Sequence, residues 1–331
     1  MCNSKPHFLI IFMQKNNKFT MNMRKKFKNF ISSKINPEQN YQGIFEITLA
    51  CFLLSIVVAL VRHLNQEFHI FFIVMMRNFF GLIILLPQFI KNRGTIFQTK
   101  NIYLHIFRSG NGTISMFFWF YAINALPLSE AVSLSFLTPI VTTIASMIFL
   151  KEKVSKNIFM ASFISFIGVI IILRPGFNKF DEGYIFSFFS IIFWTISNLI
   201  VKTMTKTDKP ETIVAHMTFF MFIFSLPFAI PYLAPLDFTS FIEFLILGII
   251  SNISYKLVAT AYSKNDLSIL QPFDFSRLIF TSLVAFFVFD EKLDIWVFVG
   301  SLIILFGLIL IVKKKSLKSQ KKILVQKTSE L

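Results

Sequence analysis

Long apolar stretches alternate with short polar turns along this chain from residue 41 to residue 312. Each stretch is long enough to cross a hydrocarbon core about 30 Å thick as a helix that rises about 1.5 Å per residue. The pattern predicts an all-α integral membrane protein whose transmembrane spans are 42–61, 68–90, 102–124, 130–150, 157–173, 183–201, 212–232, 241–262, 268–289 and 295–312.

The second half of the chain repeats the first half at an offset of about 140 residues. The matching pairs are Arg62 with Lys202, Pro87 with Pro227, Glu152 with Glu291, Ala161 with Gly300, Gly168 with Gly307 and Arg174 with Lys313. Because each repeat holds five spans, the second repeat enters the membrane from the opposite side. Inverted repeats of this kind place a transport site where the two halves meet.

The predicted organisation is therefore a basic tail over 1–40, one five-helix repeat over 41–174, a second over 181–314 and a basic tail over 315–331. Met21 and Met23 precede a basic run, and a translation start at either of them is an alternative to Met1. The first 20 residues would then not belong to the protein.

Charge is scarce and unevenly placed. Only 15% of the residues are charged while 55% are hydrophobic, and the net charge is +16. Most of the positive charge lies in the tails and in alternate short loops, which argues against a nucleic-acid partner and predicts cytoplasmic N and C termini by the positive-inside rule. Cys2 and Cys51 form no disulfide framework, and the five histidines are scattered, so the sequence predicts neither a metal site nor a cofactor.

Several motifs recur in order along the repeats. They are Tyr121-Ala122 followed by Ala125 to Ala131, Leu137-Thr138-Pro139-Ile140, Leu150-Lys151-Glu152-Lys153, Gly168-Val169, and in the second half Phe289-Asp290-Glu291-Lys292 with Gly300 and Gly307. They resemble the "YAL…LPLAxA" passage, the span-four proline and the "LGE" turn of the EamA family, within the drug/metabolite transporter superfamily. The second repeat departs from this pattern, because Ser263 to Asp266 replace the Leu-Pro passage and Leu278 stands in place of Pro139.

The resemblance implies a multi-pass protein of the inner (plasma) membrane that carries small metabolites and is driven by gradients. No GxxxxGK[ST] phosphate loop occurs in the chain, which agrees with a carrier that does not use ATP. The expected solutes are zwitterionic or anionic, with amino-acid-like or nucleoside-like metabolites as examples. Import or export, the coupling ion and the oligomeric state, a homodimer included, stay open at this point.

Ionisable residues inside the spans are the candidate site residues, because charge is costly in hydrocarbon. Arg77 lies near the middle of the second span, where it either grips a substrate carboxylate or phosphate or clamps the helix internally. Asp274 and Arg277 share a helix face. They either form an intrahelical ion pair, or Asp274 binds a substrate amine or a coupling proton while Arg277 orients it.

The third span holds a polar stretch that begins at Arg108 and includes Asn111. These side chains either line the cavity or form a packing seam between helices. Glu46 in the first span is, with Asp274, a candidate for proton coupling, the alternative being a solvated or arginine-paired carboxylate. The fifth and tenth spans carry small residues and no charge, which predicts packing away from the cavity.

Two other functions compete with a carrier. A membrane enzyme acting on lipid head groups would need clustered histidines and acids near an interface, and no such cluster stands out. A channel or scaffold would need repeated rings of carbonyls or charges, which the sequence does not show. The predicted partners are a small-molecule substrate and the lipid bilayer, while a proton as coupling ion and a second copy of the chain stay open.

Overall fold

The computed structural model describes residues 37–91, 95–125, 134–173, 182–289 and 295–310 except 297. The chain divides into a unit of residues Met1–Tyr41 and a unit of residues Gln42–Leu331. In the first unit only residues 37–41 are described, as helix, and the second unit holds all the other described residues. The predicted C-terminal tail, nearly all of the N-terminal tail, and the motif residues 126–131 and 290–292 lie outside the described residues.

The described residues form eleven α-helices. They are α1 (Pro37–Leu64), α2 (Ile70–Lys91), α3 (Ile102–Ala125), α4 (Thr138–Phe149), α5 (Lys156–Leu173), α6 (Glu182–Met204), α7 (Pro210–Ala229), α8 (Phe238–Lys264), α9 (Leu267–Asp274), α10 (Ser276–Phe289) and α11 (Phe298–Leu310). Two short 3₁₀ turns, Thr95–Phe97 and Ile230–Tyr232, complete the assignment, and no strand is assigned within these described ranges.

These helices confirm the all-α membrane architecture. Six segments are long and apolar enough to cross a membrane, namely α1, α2, α6, α7, α8 and the consecutive helices α9 and α10 taken together. Three shorter apolar helices are α4, α5 and α11. Helix α3 is also long, but the polar run from Arg108 to Thr113 lowers its hydropathy. The helix α1 begins at Pro37, five residues before the predicted start of the first span.

The ninth predicted span, 268–289, is one helix in the sequence pattern and two helices in the structure. Helix α9 ends at Asp274, Phe275 forms a turn, and α10 begins at Ser276. Pro272 has no N–H to donate to the carbonyl of Ser268, which weakens the helix one turn before the break. The break places Asp274 and Arg277 on either side of a bend.

The two ends of the bundle differ in charge. Exposed lysines lie in the turns around residues 91–102, 149–156 and 204–210, and we call the end that holds these turns and the α8–α9 turn the basic-loop end. The turns around residues 64–70 and 229–238 form the opposite end. There, Asp237 caps α8 by accepting a hydrogen bond from the Ser240 N–H at 2.9 Å, and its pKa is lowered by hydrogen bonds from Ser240.

Helices α5 and α11 meet backbone to backbone. A Cβ atom added to Gly168 would lie 2.7 Å from the carbonyl oxygen of Gly300, and one added to Gly307 would lie 2.9 Å from that of Ala161. Gly168 and Gly307 are repeat counterparts, and so are Ala161 and Gly300. The contact is therefore unchanged when the two repeats are exchanged, as a two-fold axis between antiparallel helices requires. We call it the α5–α11 seam.

The seam generates a prediction about stability. We expect Gly168→Ala to lower the thermal unfolding temperature of the detergent-purified protein, because the new methyl group meets a backbone atom that cannot rotate away. Overpacking of this kind costs roughly 1–3 kcal/mol.

Gly110→Ala is the matched control, because its Cβ would lie 3.6 Å from the nearest atom, a ring carbon of Phe224. Both substitutions exchange the same residues inside a helix, so their intrinsic helix propensities cancel. Equal unfolding temperatures for the two variants would contradict the seam.

Candidate functional site

A cavity lies between the two repeats, with walls from α1, α3, α4 and α6 to α10. Its polar lining residues are Arg108, Thr138, Ser197, Asn198, Gln271, Asp274 and Arg277, and its aromatic lining residues are Trp194, Tyr255 and Tyr262. None of the lining residues belongs to α5 or α11, which agrees with the packing role predicted for the fifth and tenth spans.

Arg108 is a buried cation on the cavity wall. Its side chain is 6% exposed, its Nη1 donates to the Met221 sulfur at 3.9 Å, and its Nε has no hydrogen-bond partner. No carboxylate of the described residues lies within ion-pair distance of its guanidinium group. A buried guanidinium without a counter-charge among the described residues is costly in a membrane protein, which makes Arg108 a candidate site residue.

Asp274 and Arg277 form the ion pair that their spacing predicts. The Arg277 Nη2 lies 3.2 Å from the Asp274 Oδ2, and the two side chains are 24% and 22% exposed. Both line the cavity, so the pair faces the space between the repeats rather than lipid. The thiol of Cys51 lies 3.7 Å from the other carboxylate oxygen of Asp274, which ties α1 to this bend.

Arg77 lies behind the cavity wall. It is 9% exposed, its Nη2 has no hydrogen-bond partner, and its guanidinium carbon lies 6.0 Å from the centre of the Tyr255 ring. Tyr255 itself lines the cavity, whereas Arg77 does not. The charges of Arg77 and Arg108 are close enough to influence one another, so Arg77 adds to the positive potential that a ligand beside Arg108 experiences.

Asn111 packs between two helices, which is one of the two positions that the sequence allows for it. Its side-chain nitrogen donates to the Ser197 hydroxyl at 2.8 Å and to the Phe193 carbonyl, which joins α3 to α6. One turn further, the Ser115 hydroxyl donates to the Ser190 carbonyl at 2.9 Å. The antiparallel pair α3–α6 is thus bonded from the middle of the bundle toward the opposite end.

Glu46 lies outside the cavity, at the basic-loop end, where it forms an ion pair with Lys264. Its partner is a lysine rather than the arginine considered from the sequence. Lys256 is likewise paired, with its ammonium nitrogen 3.0 Å from a carboxylate oxygen of Glu211. Asp274 is therefore the one acidic residue among the described residues that line the cavity.

One cluster contradicts the expectation that the histidines are scattered. His105 Nε2 lies 3.0 Å from Asp208 Oδ2, and the His216 ring stacks on His105 with centroids 4.1 Å apart. The cluster sits at the basic-loop end and joins α3 to the α6–α7 turn. His105 and Asp208 are separated by 103 residues along the chain, so no local spacing in the sequence reveals their contact. In the ranges that the structure covers, no group of three or more His, Cys, Asp or Glu residues is arranged to hold a metal ion.

Sequence reasoning also missed cavity residues that carry no charge. Cys51 and Tyr255 both line the cavity. Trp194, Ser197 and Asn198 lie on its wall as well. Neutral residues such as these have no desolvation cost that distinguishes them in a sequence.

Known proteins share this helical fold of two repeats. The model of the EamA-like transporter family matches residues 41–174 and 181–313. A solved crystal structure that is 15% identical in sequence superposes with a TM-score of 0.71 and covers 84% of this chain and 99% of that chain.

Two relatives are transporters by name. The S-adenosylmethionine uptake transporter of Rickettsia bellii (strain RML369-C) is 25% identical over 285 residues, which cover 84% of this chain and 98% of that protein. The riboflavin transporter of Vibrio cholerae serotype O1 (strain ATCC 39315 / El Tor Inaba N16961) is 26% identical over 245 residues, which cover 73% of this chain and 82% of that protein. These relatives exclude the lipid-enzyme alternative. With a family match across both repeats, this chain belongs to the EamA-like transporter family.

Proposed function

We propose that this protein is a secondary carrier of small organic metabolites that bear an anionic group, zwitterions included. The observation that carries the proposal is Arg108, which is buried on the wall of the cavity between the repeats and has no carboxylate partner among the described residues. A substrate carboxylate or phosphate supplies that partner. Hydrogen bonds to charged groups contribute about 1.5–3 kcal/mol each, enough to select a charged solute.

The rest of the cavity favours a solute with a ring and polar substituents. Trp194, Tyr255 and Tyr262 offer aromatic faces, and Asn198 and Gln271 offer amide groups that both donate and accept hydrogen bonds. S-adenosylmethionine and riboflavin, the named substrates of two relatives, both carry an aromatic ring system. Amino-acid-like and nucleoside-like metabolites are therefore the substrates we propose. Arg77 and Asn111 support this site from behind its wall.

Alternating access follows from an asymmetry between equivalent helix pairs. Helices α3 and α6 are bonded together in the half of the bundle toward the opposite end. Their repeat counterparts are α8 and α1. These two helices both line the cavity, with Tyr255 on α8 and Cys51 on α1, and the Lys264–Glu46 ion pair joins them at the basic-loop end. If the two pairs exchange their packing, the cavity closes at one end and opens at the other, as inverted repeats allow.

We further propose that the carrier sits in the plasma membrane with the basic-loop end in the cytoplasm, as the exposed Lys151, Lys206 and Lys209 favour. A proton is the proposed coupling ion, and Asp274 its carrier. Glu46 was the other candidate, but its carboxylate is paired with Lys264 away from the cavity.

Counterflow in proteoliposomes tests the substrate class. We expect the purified protein to exchange at least one anionic or zwitterionic member of a panel of amino acids, nucleosides, nucleotides, S-adenosylmethionine and riboflavin. For that solute, Arg108→Gln should lower the initial rate at subsaturating concentration by about tenfold or more, because each 1.4 kcal/mol of lost binding is a factor of ten.

Lys206→Gln removes the same charge from an exposed turn and should leave the rate unchanged. The proposed role of Arg108 is contradicted if Arg108→Gln transports its solute at the rate of the unmodified protein. Counterflow of uncharged or purely cationic solutes alone would contradict the substrate class.

The Asp274–Arg277 pair gives a second test. We expect Asp274→Asn and Arg277→Gln each to lower the thermal unfolding temperature, because each leaves one charge without its partner. The double variant should recover most of that loss, since no uncompensated charge remains. It should still fail to transport, because the coupling acid is gone.

The unfolding temperature and the transport rate are both measured on the same purified samples. If the double variant transports with the pH dependence of the unmodified protein, Asp274 does not carry the coupling proton and the pair has only a structural role. A double variant no more stable than either single variant would contradict the ion pair itself.

A further inference from the structure

The turn between α8 and α9 is bound by a glutamate from the other repeat. The two carboxylate oxygens of Glu152, in the α4–α5 turn, accept hydrogen bonds from the N–H groups of Leu267 and Ser268 at 2.8 and 2.9 Å. These N–H groups belong to the first turn of α9 and have no partner within the helix. A carboxylate at this position is bound by charge-assisted hydrogen bonds and by the favourable field of the helix N-terminus.

The local backbone directs Glu152 toward α9. Lys151, the preceding residue, has a φ of 54°. This is a left-handed backbone conformation that residues other than glycine rarely adopt. The Glu152 N–H bonds back to the Ser146 carbonyl at 3.3 Å, which closes the turn at the end of α4. With this turn closed, the Glu152 carboxylate reaches the first residues of α9.

Two further charged side chains hold the same turn. Lys264 at the end of α8 forms an ion pair with Glu46 of α1. The ammonium group of Lys202, on α6, donates to the Tyr262 carbonyl at 2.6 Å and to the Asn265 carbonyl. The turn is thus bound to α1, to α6 and to the α4–α5 turn at once.

The cavity lies next to this turn. Tyr262 and Leu270, on either side of it, line the cavity, and so do Ile47 and Val201, which are the chain neighbours of Glu46 and Lys202. The residues that bind the turn are thus direct neighbours of residues on the cavity wall. Movement of the turn requires the bonds to Glu152 to break.

We propose that the α8–α9 turn, residues 262–268, is the gate that closes the cavity toward the basic-loop end, and that Glu152 is the positioning residue that holds this gate shut. The inference rests on the proposed carrier function and names the path by which its cavity opens. Glu152 acts through the backbone of α9 and does not touch the solute, since it is not a lining residue.

Cys51 provides a direct probe of this gate. It lines the cavity, and Cys2 is the other cysteine of the chain, so a Cys2→Ser background leaves Cys51 as the single thiol. We would measure its modification by a membrane-impermeant methanethiosulfonate in sealed vesicles, applied to each side in turn. A separate Cys2→Ser, Cys51→Ser, Lys206→Cys protein identifies which side carries the basic-loop end.

We expect Glu152→Ala to raise the rate of Cys51 modification about tenfold or more, only from the side on which the Lys206→Cys marker reacts. Glu152→Gln retains one acceptor oxygen and should give a smaller rise from the same side. It serves as the test if Glu152→Ala does not reach the membrane in folded form. Glu67→Ala, which removes an exposed glutamate at the opposite end, is the matched control and should change neither rate.

An unchanged rate, a rise from the opposite side, or an equal rise from both sides would overturn the gate. Side-specific modification also separates a gating role from a merely structural one, because general loosening of the bundle exposes Cys51 to both sides. No transported solute is needed. Failure of transport in the counterflow measurements would therefore count against the proposed function without affecting this test.

Discussion

The rest of the structure depends on the α5–α11 seam, where the backbones of two helices touch. Between helices in lipid the hydrophobic effect contributes little, so association relies on close van der Waals packing of small residues. Gly168 and Gly307 permit that approach, and because they are repeat counterparts the same contact forms twice. A self-complementary contact between two homologous halves fixes them as inverted copies. The seam holds these copies together without placing a residue in the cavity.

The remaining helices surround the cavity and differ in how firmly they are joined. Polar side chains bond α3 to α6 toward the opposite end, while their counterparts α8 and α1 both line the cavity and are joined by an ion pair at the basic-loop end. At the basic-loop end, the charged side chains of Glu152, Lys202 and Lys264 bind the α8–α9 turn in addition to the packing of Leu267 in the core. Such contacts are directional and can be exchanged for contacts with water, which suits a part of the bundle that must open and close. In the function proposed above, the buried charge of Arg108 selects the solute.

Much of this architecture is predictable from sequence, because a membrane imposes long apolar helices and makes buried charges conspicuous. The spans, the duplication, the Asp274–Arg277 pair and the packing role of the fifth and tenth spans follow from those rules. The break at Phe275 does not, since Pro272 alone does not decide whether a helix bends or ends. The position of Arg77 behind Tyr255 depends on how far α2 is rotated about its own axis relative to the neighbouring helices. The sequence shows how deep Arg77 lies in the membrane but not this rotation. The pairing of His105 with Asp208 depends on which loops meet at one end of the bundle.

The inverted arrangement is tested most directly by distances between spin labels on α5 and α11. Met160 and Ile170 on α5, and Val299 and Ile309 on α11, are exposed on the surface of the bundle, so labels there leave the seam intact. In a cysteine-free background, double electron–electron resonance should give short distances for the 160–309 and 170–299 pairs. The 160–299 and 170–309 pairs should be offset by a further ~15 Å along the helix axes, since about ten residues at ~1.5 Å each separate the labels. The opposite ranking, with 160–299 shorter than 160–309, would mean that the two helices run parallel and that the repeats are not inverted.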